Sequence, residues 1–361
     1  RRVRNSPIPS ERGTSPTFVT KMGRSSFCRY SCLLGGLVLL VACLRKDVRT
    51  PVARLNASNF AFPEVPYTLE NQYTPERFAL GKKLFFDPIL SIDSTLSCAS
   101  CHKPSLAFSD SVPFSPGVMG RPGTRNAPSL ANVAFHPYFL KEGGVPTLEM
   151  QVLVPIQEHN EFAHNIVDIA EQLKKQPVYV SMCQDAYGRA PDAFTITRAL
   201  GVFERALISN NSSFDRYVQG DNTAMSKKAL KGTNLFFSDR VGCTNCHSGP
   251  NFTQYAFETN RSDTTYGDIG RIRFSKIPAD RFHFKVPSLR NVELTAPYMH
   301  DGRLATLEDV VEHYNGGGHS RAAPNDKIKP LGLSKHEVVE LVAFLHSLTD
   351  TLFVQDPRWE Y

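Results

Sequence analysis

The chain has almost no tryptophan, and few of its cysteines are available to form disulfide bonds. Its single Trp stands at position 359, and three of its eight cysteines fall in an N-terminal leader or at its end, namely Cys28, Cys32 and Cys43. Four more belong to two Cys-x-x-Cys-His units, so only Cys183 is left over. This distribution excludes a disulfide scaffold, in which cysteines pair throughout the chain.

Net charge is also missing from most of the chain. The formal charge of +6 comes from residues 1–42, which hold seven Lys or Arg and one acidic residue. Residues 43–361 hold 34 Lys or Arg and 34 Asp or Glu. A mature protein of this composition has no positive field to attract nucleic acid, so nucleic acid is not an expected partner.

A long hydrophobic run is absent too. The apolar stretch 33–41 is too short to span a membrane as a helix, and with the basic residues after Met22 it predicts an export signal. The letters LVAC at 40–43 resemble the lipobox of bacterial lipoproteins. We therefore expect a leader over 1–42 and a periplasmic protein anchored by lipid at Cys43, with cleavage by an ordinary signal peptidase as the alternative.

The chain repeats itself around its two Cys-x-x-Cys-His units, CASCH at 98–102 and CTNCH at 243–247. The first follows GKKLFFD and the second follows GTNLFFS. Later segments match in the same order: PSLANV with PSLRNV, Pro137-Tyr138 with Pro297-Tyr298, and Thr147-Leu-Glu with Thr306-Leu-Glu. Two copies of one supersecondary plan explain this pattern.

Apolar periodicity predicts a helical protein with few strands. We expect a tether over 43–65, a first domain over 66–210 and a second over 211–361, joined near the polar stretch NNSS at 210–213. The expected helices cover 74–86, 165–176, 195–209, 226–237, 306–314 and 334–348, several with N-terminal signals at Thr74, Thr306 and Ser334.

Each Cys-x-x-Cys-His unit predicts a covalently attached c-type haem. The thiols of Cys98 and Cys101, and of Cys243 and Cys246, would form the thioethers, while His102 and His247 would be the proximal iron ligands. The alternative is one zinc ion held by four thiolates. It explains neither the His after each pair nor the separate repeat around each pair.

The two copies differ where the distal ligand is expected. Eight residues after the matching threonines stand Pro155 in the first copy and Tyr314 in the second. A proline cannot coordinate iron, whereas a phenol can. Other candidates for the second distal ligand are Met299, His300 and His313.

An open haem that cleaves a peroxide needs a base and a polar group near its distal face. Gln151 and Glu161 lie close to Pro155 in the sequence. Taken as residue types alone, they are better interpreted as a surface amide and as a capping charge at the start of a helix over 161–176.

Six segments taken together carry a family resemblance: LGKKLFFDP, CASCH, GTRNAPSLANV, LEMQVLVPIQEHNEF, KVPSLRNV and LTAPYMHDGRLATLEDVVEHY. In this order and spacing, over about 74–348, the chain resembles the bacterial di-haem cytochrome c peroxidases and their relative MauG. The resemblance implies an all-α pair of cytochrome c-like haem domains related by internal duplication. It also implies reduction of hydrogen peroxide at the first haem, with electrons from a small cytochrome or cupredoxin entering at the second, and often a homodimer.

The resemblance also assigns residues. Glu161 and Gln151 fall on the family's active-site glutamate and glutamine. A calcium ion between the haems would be held by the Asn126 side chain and the carbonyls of Thr295 and Pro297.

Three departures from the family pattern matter. Tyr314 stands where many peroxidases have methionine and MauG-like members have tyrosine. Residues 103–135 contain no histidine, which predicts a first haem that is open at rest. Lys141 replaces the tryptophan between the haems, with Tyr138 or Phe139 as substitutes for electron transfer. The alternatives to a peroxidase are MauG-like oxidation of a partner protein and a non-enzymatic di-haem electron carrier.

Overall fold

The structure is a computed structural model that describes residues 55–262, 267–319 and 324–361. The predicted leader and Cys43 lie outside these residues. Helices dominate, and two short strands pair antiparallel, with Phe257 opposite Lys285. The helices are α1 (Pro75–Phe86), α2 (Cys98–Cys101), α3 (Leu148–Gln151), α4 (Leu153–Gln157), α5 (Ile166–Leu173), α6 (Pro177–Tyr187), α7 (Ala193–Arg205), α8 (Ser213–Val218), α9 (Lys227–Phe236), α10 (Ile272–Ser275), α11 (Leu307–Asn315), α12 (Lys335–His346) and α13 (Thr351–Val354), and the strands are β1 (Phe257–Glu258) and β2 (Phe284–Lys285).

All six predicted helices are present, with ends that differ by a few residues. The three predicted N-caps are confirmed, since Thr74, Thr306 and Ser334 each accept a hydrogen bond from a backbone N–H in the first turn. The sequence interpretation missed α6, although Pro177 starts it and Gly188 ends it in the left-handed conformation. These are ordinary helix start and stop signals.

The same close helix crossing occurs in both halves. A Cβ atom added at Gly81 of α1 would lie 2.0 Å from the carbonyl oxygen of Ala199 in α7. A Cβ added at Gly232 of α9 would lie 1.9 Å from the carbonyl oxygen of Glu340 in α12. Glycine is therefore required at the equivalent crossing in each half, which explains why the repeated segments begin with it.

A second equivalence lies in the PSLANV and PSLRNV segments. Asn132 and Asn291 both adopt the left-handed conformation, with φ of 59° and 57°. The Asn132 Oδ1 accepts a hydrogen bond from the Ser209 amide, and the Asn291 Oδ1 accepts one from the Asp350 amide, each 2.8 Å long. The predicted internal duplication is confirmed in three dimensions.

Each half has its own apolar core. Phe85, Phe108 and Phe203 are fully buried in the first, and Phe214 and Phe344 in the second. Burying each such ring contributes roughly 1.5–3 kcal/mol relative to exposure.

The C-terminal residues return to the first core. Trp359 is 3% exposed, and its indole N–H donates to the carbonyl of Phe353 at 2.6 Å. Both side chains belong to the first core, although Phe353 lies in α13 and Trp359 follows α13 at the end of the second half. Among the residues that the structure describes, no helix is long and apolar enough to cross a membrane.

Candidate functional site

The first Cys-x-x-Cys-His unit forms a single helical turn, α2. Cys98 and Cys101 lie three residues apart, so that their side chains share one side of the turn, and His102 follows as the C-cap. The His102 Nδ1 lies 2.8 Å from the carbonyl oxygen of Phe108. A carbonyl can only accept, so Nδ1 carries the proton and Nε2 keeps its lone pair for a metal.

The second unit reaches the same arrangement through a different turn. Cys243–Asn245 form a 3-10 turn, and the His247 Nδ1 donates to the carbonyl of Phe252 at 3.0 Å. Burial lowers the pKa of both His102 and His247. Each imidazole is therefore held neutral, which is the form that binds iron.

The four cysteines of the two units form no disulfide bonds with one another. Cys98 packs against the first core and Cys243 against the second, so the two pairs serve different sites. Within the described ranges, no group of three or more His, Cys, Asp or Glu side chains is placed to hold a metal ion. A single zinc ion with four thiolates does not fit this geometry, whereas a pair of thiols and one oriented imidazole on each side fits two c-type haems.

Tyr314 lies in α11 and faces the second unit. Burial, followed by the nearby Cys246 and Cys243, raises the pKa of its phenol. Among the described residues, no protein group makes a hydrogen bond with the Tyr314 hydroxyl. The residue is half-buried, so its hydroxyl is open to the space beside Cys243 and Cys246, where a bound group can reach it.

The three other candidates for the second distal ligand are directed elsewhere. His313 uses both ring nitrogens, at 2.8 Å from His319 and at 2.8 Å from the carbonyl of Asn260. The Met299 sulfur accepts a hydrogen bond from the side-chain Nδ2 of Asn260 at 2.8 Å. His300 stacks on Phe284, with ring centroids 4.2 Å apart.

The distal side of the first site is built from α3, α4 and the turn that follows. Gln151 ends α3 and is half-buried, and its side-chain amide makes no hydrogen bond within the described residues. Pro155 lies in α4, and its carbonyl accepts a hydrogen bond from the Phe162 amide at 3.1 Å. This bond folds the chain back, so Glu161 is brought towards the same side as Pro155.

The expected helix start at Glu161 is wrong. The next helix, α5, begins at Ile166 behind the N-cap Asn165, and Glu161 lies in a turn held by hydrogen bonds. The Glu161 amide donates to the carbonyl of Glu158, and its own carbonyl accepts from the Val118 amide, each at 2.9 Å. Glu161 therefore does not cap a helix.

The Glu161 carboxyl combines contact with water and a raised pKa. The residue is accessible to water, yet surrounding protein and the like charge of Glu158 raise its pKa to about 7. Its charge in turn raises the pKa of Cys98 and Cys101, after burial and other neighbouring charges. The carboxyl thus lies beside the first attachment site and can exchange a proton near neutral pH.

Sequence reasoning missed Glu204 of α7. This carboxyl is 6% exposed, its Oε2 has no hydrogen-bond partner, and it acts on the thiol of Cys98. Burial raises its pKa to about 8. Because Phe203 and Phe344 flank the two glycine crossings alike, Glu204 matches Leu345 of α12. A glutamate in one copy of the repeat where the other copy has leucine was the sequence signal that could have identified Glu204.

The loops that begin near Tyr138 and Tyr298 show that the repeats match differently from the sequence prediction. Matching Tyr138 with Tyr298 is wrong by one residue, because Phe139 and Tyr298 make equivalent bridges and the residues after them, Leu140 and Met299, share positive φ values of 66° and 73°. The bridges are Phe139–Val145 and Tyr298–Leu304.

Tyr138, one of the two predicted substitutes for the missing tryptophan, joins the halves directly. Its hydroxyl donates to the carbonyl of Tyr255 at 2.5 Å, and its ring stacks on Phe257 with centroids 5.0 Å apart. Phe139, the other substitute, is buried in the first core.

The predicted calcium donors do not converge on a free position. The Asn126 Oδ1 accepts a hydrogen bond from the Lys141 amino group, and the Asn126 Nδ2 donates to the carbonyl of Pro297 at 2.9 Å. As arranged, these oxygens do not fit Ca²⁺, which requires several oxygens directed at one point.

Comparison with known proteins matches this geometry. The family described as di-haem cytochrome c peroxidase matches residues 75–223. The methylamine utilization protein MauG of Methylorubrum extorquens is 38% identical over 296 residues, which cover 81% of this chain and 83% of MauG. The chain belongs to the di-haem cytochrome c peroxidase family.

Other relatives carry both kinds of name. The cytochrome c551 peroxidase of Nitrosomonas europaea is 36% identical over 278 residues, covering 75% of this chain and 79% of that protein. A solved MauG-like protein associated with microbial copper homeostasis has a TM-score of 0.78 and 29% identity, covering 84% of this chain and 98% of that one. This family member is therefore an oxidoreductase with an all-α, cytochrome c-like fold and two c-type haems.

Proposed function

We propose that the protein reduces hydrogen peroxide to water at a site formed by His102, Glu161 and Gln151. The observation that carries this proposal is the carboxyl of Glu161, which lies beside the first Cys-x-x-Cys pair with a pKa of about 7. A group that must both accept and return a proton works best when its pKa is close to the ambient pH.

The residues would divide the chemistry as follows. His102 would hold a haem, which would supply an iron and electrons for the reduction of peroxide. Glu161 accepts a proton from the incoming peroxide and returns it to the departing oxygen. The Gln151 amide donates a hydrogen bond to that oxygen and orients it. Two electrons and two further protons complete the conversion of one peroxide to two waters.

The second half would supply the electrons. His247 and Tyr314 would hold a six-coordinate haem that accepts electrons one at a time from a small cytochrome or cupredoxin. An anionic phenolate ligand favours ferric iron and lowers the reduction potential. The first haem would be open at rest, because Pro155 cannot coordinate and residues 103–135 contain no histidine.

Steady-state kinetics of the haem-loaded protein test this proposal. With a reduced small cytochrome c or cupredoxin as donor, we expect two donor molecules to be oxidised for each peroxide consumed. Resting ferric protein should show a high-spin electron paramagnetic resonance signal from the open first haem. A spectrum without any high-spin component would leave the first site closed and contradict the proposal.

Oxidation of a partner protein is the second candidate function. Tyr314 and the 38% identity to MauG favour it, whereas Lys141 at the tryptophan position argues against it. Peroxide added to the protein with a candidate partner would leave a mass change on that partner. Donor turnover without any such change favours the peroxidase.

Export, anchoring and assembly belong to the same proposal. We propose a periplasmic protein that is lipidated at Cys43 and forms a homodimer. Mass spectrometry of the mature N-terminus tests lipidation, and light scattering of the purified protein tests the dimer.

A further inference from the structure

Lys141 is half-buried, and its amino group makes an unusual contact for a lysine. Its amino group donates a hydrogen bond to the Asn126 Oδ1, the side-chain oxygen assigned above to calcium. Because an amino group donates here, the amide must turn its oxygen towards Lys141. Its Nδ2 then points the other way and donates to the carbonyl of Pro297 at 2.9 Å. Two of the three predicted calcium donors are thus already engaged by N–H groups of the protein.

Two equivalent backbone hydrogen bonds join the halves at the same place. The Asn126 amide donates to the carbonyl of His300 at 3.1 Å, and the Lys285 amide donates to the carbonyl of Lys141 at 2.7 Å. The corrected alignment pairs Asn126 with Lys285 and Lys141 with His300. The two halves therefore join through one contact used twice.

The side chains of Asn126 and Lys285 also make equivalent hydrogen bonds across this interface. The Asn126 Nδ2 donates to the carbonyl of Pro297, and the Lys285 Nζ donates to the carbonyl of Tyr138 at 2.8 Å. Tyr138 is the counterpart of Pro297 in the corrected alignment. At both equivalent positions the carbonyl accepts from a protein nitrogen, so the interface is closed by the chain's own donors.

The charges around Lys141 are paired within the protein. Arg125 bonds Glu142 and Asp268, each at 2.6 Å, and Asp301 pairs with Arg303. The three predicted calcium donors include no carboxylate. A calcium ion at this position would therefore face neutral oxygens, two of them occupied, beside a lysine and an arginine.

We propose that the Lys141 amino group takes the place of the calcium ion between the two haem sites, so that this protein assembles and works without calcium. A calcium ion bound to the Asn126 Oδ1 would need the position beside that oxygen which the Lys141 amino group already fills. The lysine is tethered to the chain and needs no ion from solution. One substitution, tryptophan to lysine, then accounts for both the missing indole and the displaced ion. The inference does not depend on which substrate the protein oxidises.

Calcium binding by the haem-loaded protein tests the inference. After treatment with a chelator, wild type and Lys141→Met are titrated with calcium chloride by calorimetry, and their metal content is measured by mass spectrometry. We expect no binding by wild type. The variant exposes the Asn126 oxygen and should bind one calcium per chain, at least about 10-fold more tightly than wild type.

Two further variants isolate the site. Lys285→Met removes the other lysine of this interface and should gain no calcium, because the Lys285 amino group contacts one backbone carbonyl, that of Tyr138, and, among the described residues, no side-chain amide oxygen. Lys141→Met combined with Asn126→Ala should lose the calcium gained by the single variant. Haem absorbance and circular dichroism confirm that each variant is folded and loaded.

Two results would overturn the inference. Stoichiometric calcium in wild type, lost on Asn126→Ala, would show that the ion and the lysine coexist. A folded, haem-loaded Lys141→Met protein that binds no calcium would show that the lysine does not stand in for an ion. Neither result bears on peroxide turnover, so the proposed function is tested separately.

Discussion

The backbone carbonyl of Glu161 accepts a 2.9 Å hydrogen bond from the amide of Val118. This bond joins the turn after α4 to the loop that precedes it in the chain. The position of Glu161 is therefore fixed by hydrogen bonds of its backbone, and these bonds do not involve its carboxyl group. A base held in this way can change its protonation state without losing its position.

Replacing Glu161 with Gln should remove the base but keep the turn. We expect kcat/KM for peroxide to fall by about 10²–10⁴-fold, the usual contribution of general acid–base catalysis. Haem content and spin state should be unchanged. Glu158→Gln, on the same turn, is the matched control and should retain activity. Equal losses in both variants would mean that the turn matters and the Glu161 carboxyl does not.

The pH profile should report the same carboxyl. The pKa of Glu161 is raised to about 7 by burial and by Glu158, and only the deprotonated form can accept a proton. We expect kcat/KM for peroxide to fall as the pH drops through about 7. Glu158→Gln should move the midpoint to lower pH, because it removes a like charge. A midpoint that is identical in the two proteins would count against Glu161 as the titrating group.

Gly117 should be required to hold the turn of Glu161 in place. A Cβ at Gly117 would lie 1.9 Å from the carbonyl oxygen of Asn160. Its backbone is extended, so Gly117→Ala acts by steric contact alone. We expect kcat/KM for peroxide to fall by about 10²-fold through displacement of Glu161. Gly267→Ala, where an added Cβ meets nothing within 4 Å, is the control and should be silent. Full activity in Gly117→Ala would contradict this account.

Tyr314→Phe tests the second distal ligand. The phenol is half-buried beside Cys243 and Cys246, and the described residues offer it no hydrogen bond. If it binds iron, the variant should convert a low-spin ferric component to high-spin and raise the potential of that haem. His313→Gln is the control, because His313 bonds Asn260 and His319 instead. An unchanged spectrum in Tyr314→Phe would exclude the tyrosine.

The repeat and the helices could be predicted because their signals are local. Capping residues such as Thr74 and Ser334 act within one turn, and the glycine at each helix crossing recurs in both copies. The fold class followed from these signals and from the resemblance. Helix α6 was missed although its starting Pro177 and its terminal Gly188 are equally local signals.

The candidate site was predicted less completely because its properties come from contacts distant in sequence. The turn around Glu161 depends on Val118, and the pKa of Glu161 depends on burial, neither of which a spacing pattern shows. The bond from Lys141 to Asn126 crosses between two loops. From the sequence, Lys141 was visible only as a missing tryptophan.

Glu204 provides a last prediction, on stability. Its carboxyl is 6% exposed with Oε2 unpaired, and burial raises its pKa to about 8 from an ordinary 4.5. Between these two values the folded protein keeps a proton that the unfolded chain has lost. The residue therefore favours folding less as the pH rises through this range. Glu204→Leu, which copies the matching Leu345, should raise the free energy of unfolding by about 1–3 kcal/mol at about pH 8 and by less at about pH 5.

Denaturant unfolding of the haem-loaded protein at the two pH values measures this effect. Glu340→Leu is the control, since that buried carboxylate is paired with Lys231 at 3.1 Å and with His336 at 3.0 Å. Removing it should give no comparable gain in stability at either pH, because this carboxylate already has hydrogen-bonding partners. A Glu204→Leu protein that is less stable than wild type at the higher pH would mean that the carboxyl has a partner in the loaded site. Glu204 would then belong to the first haem pocket as a positioning residue.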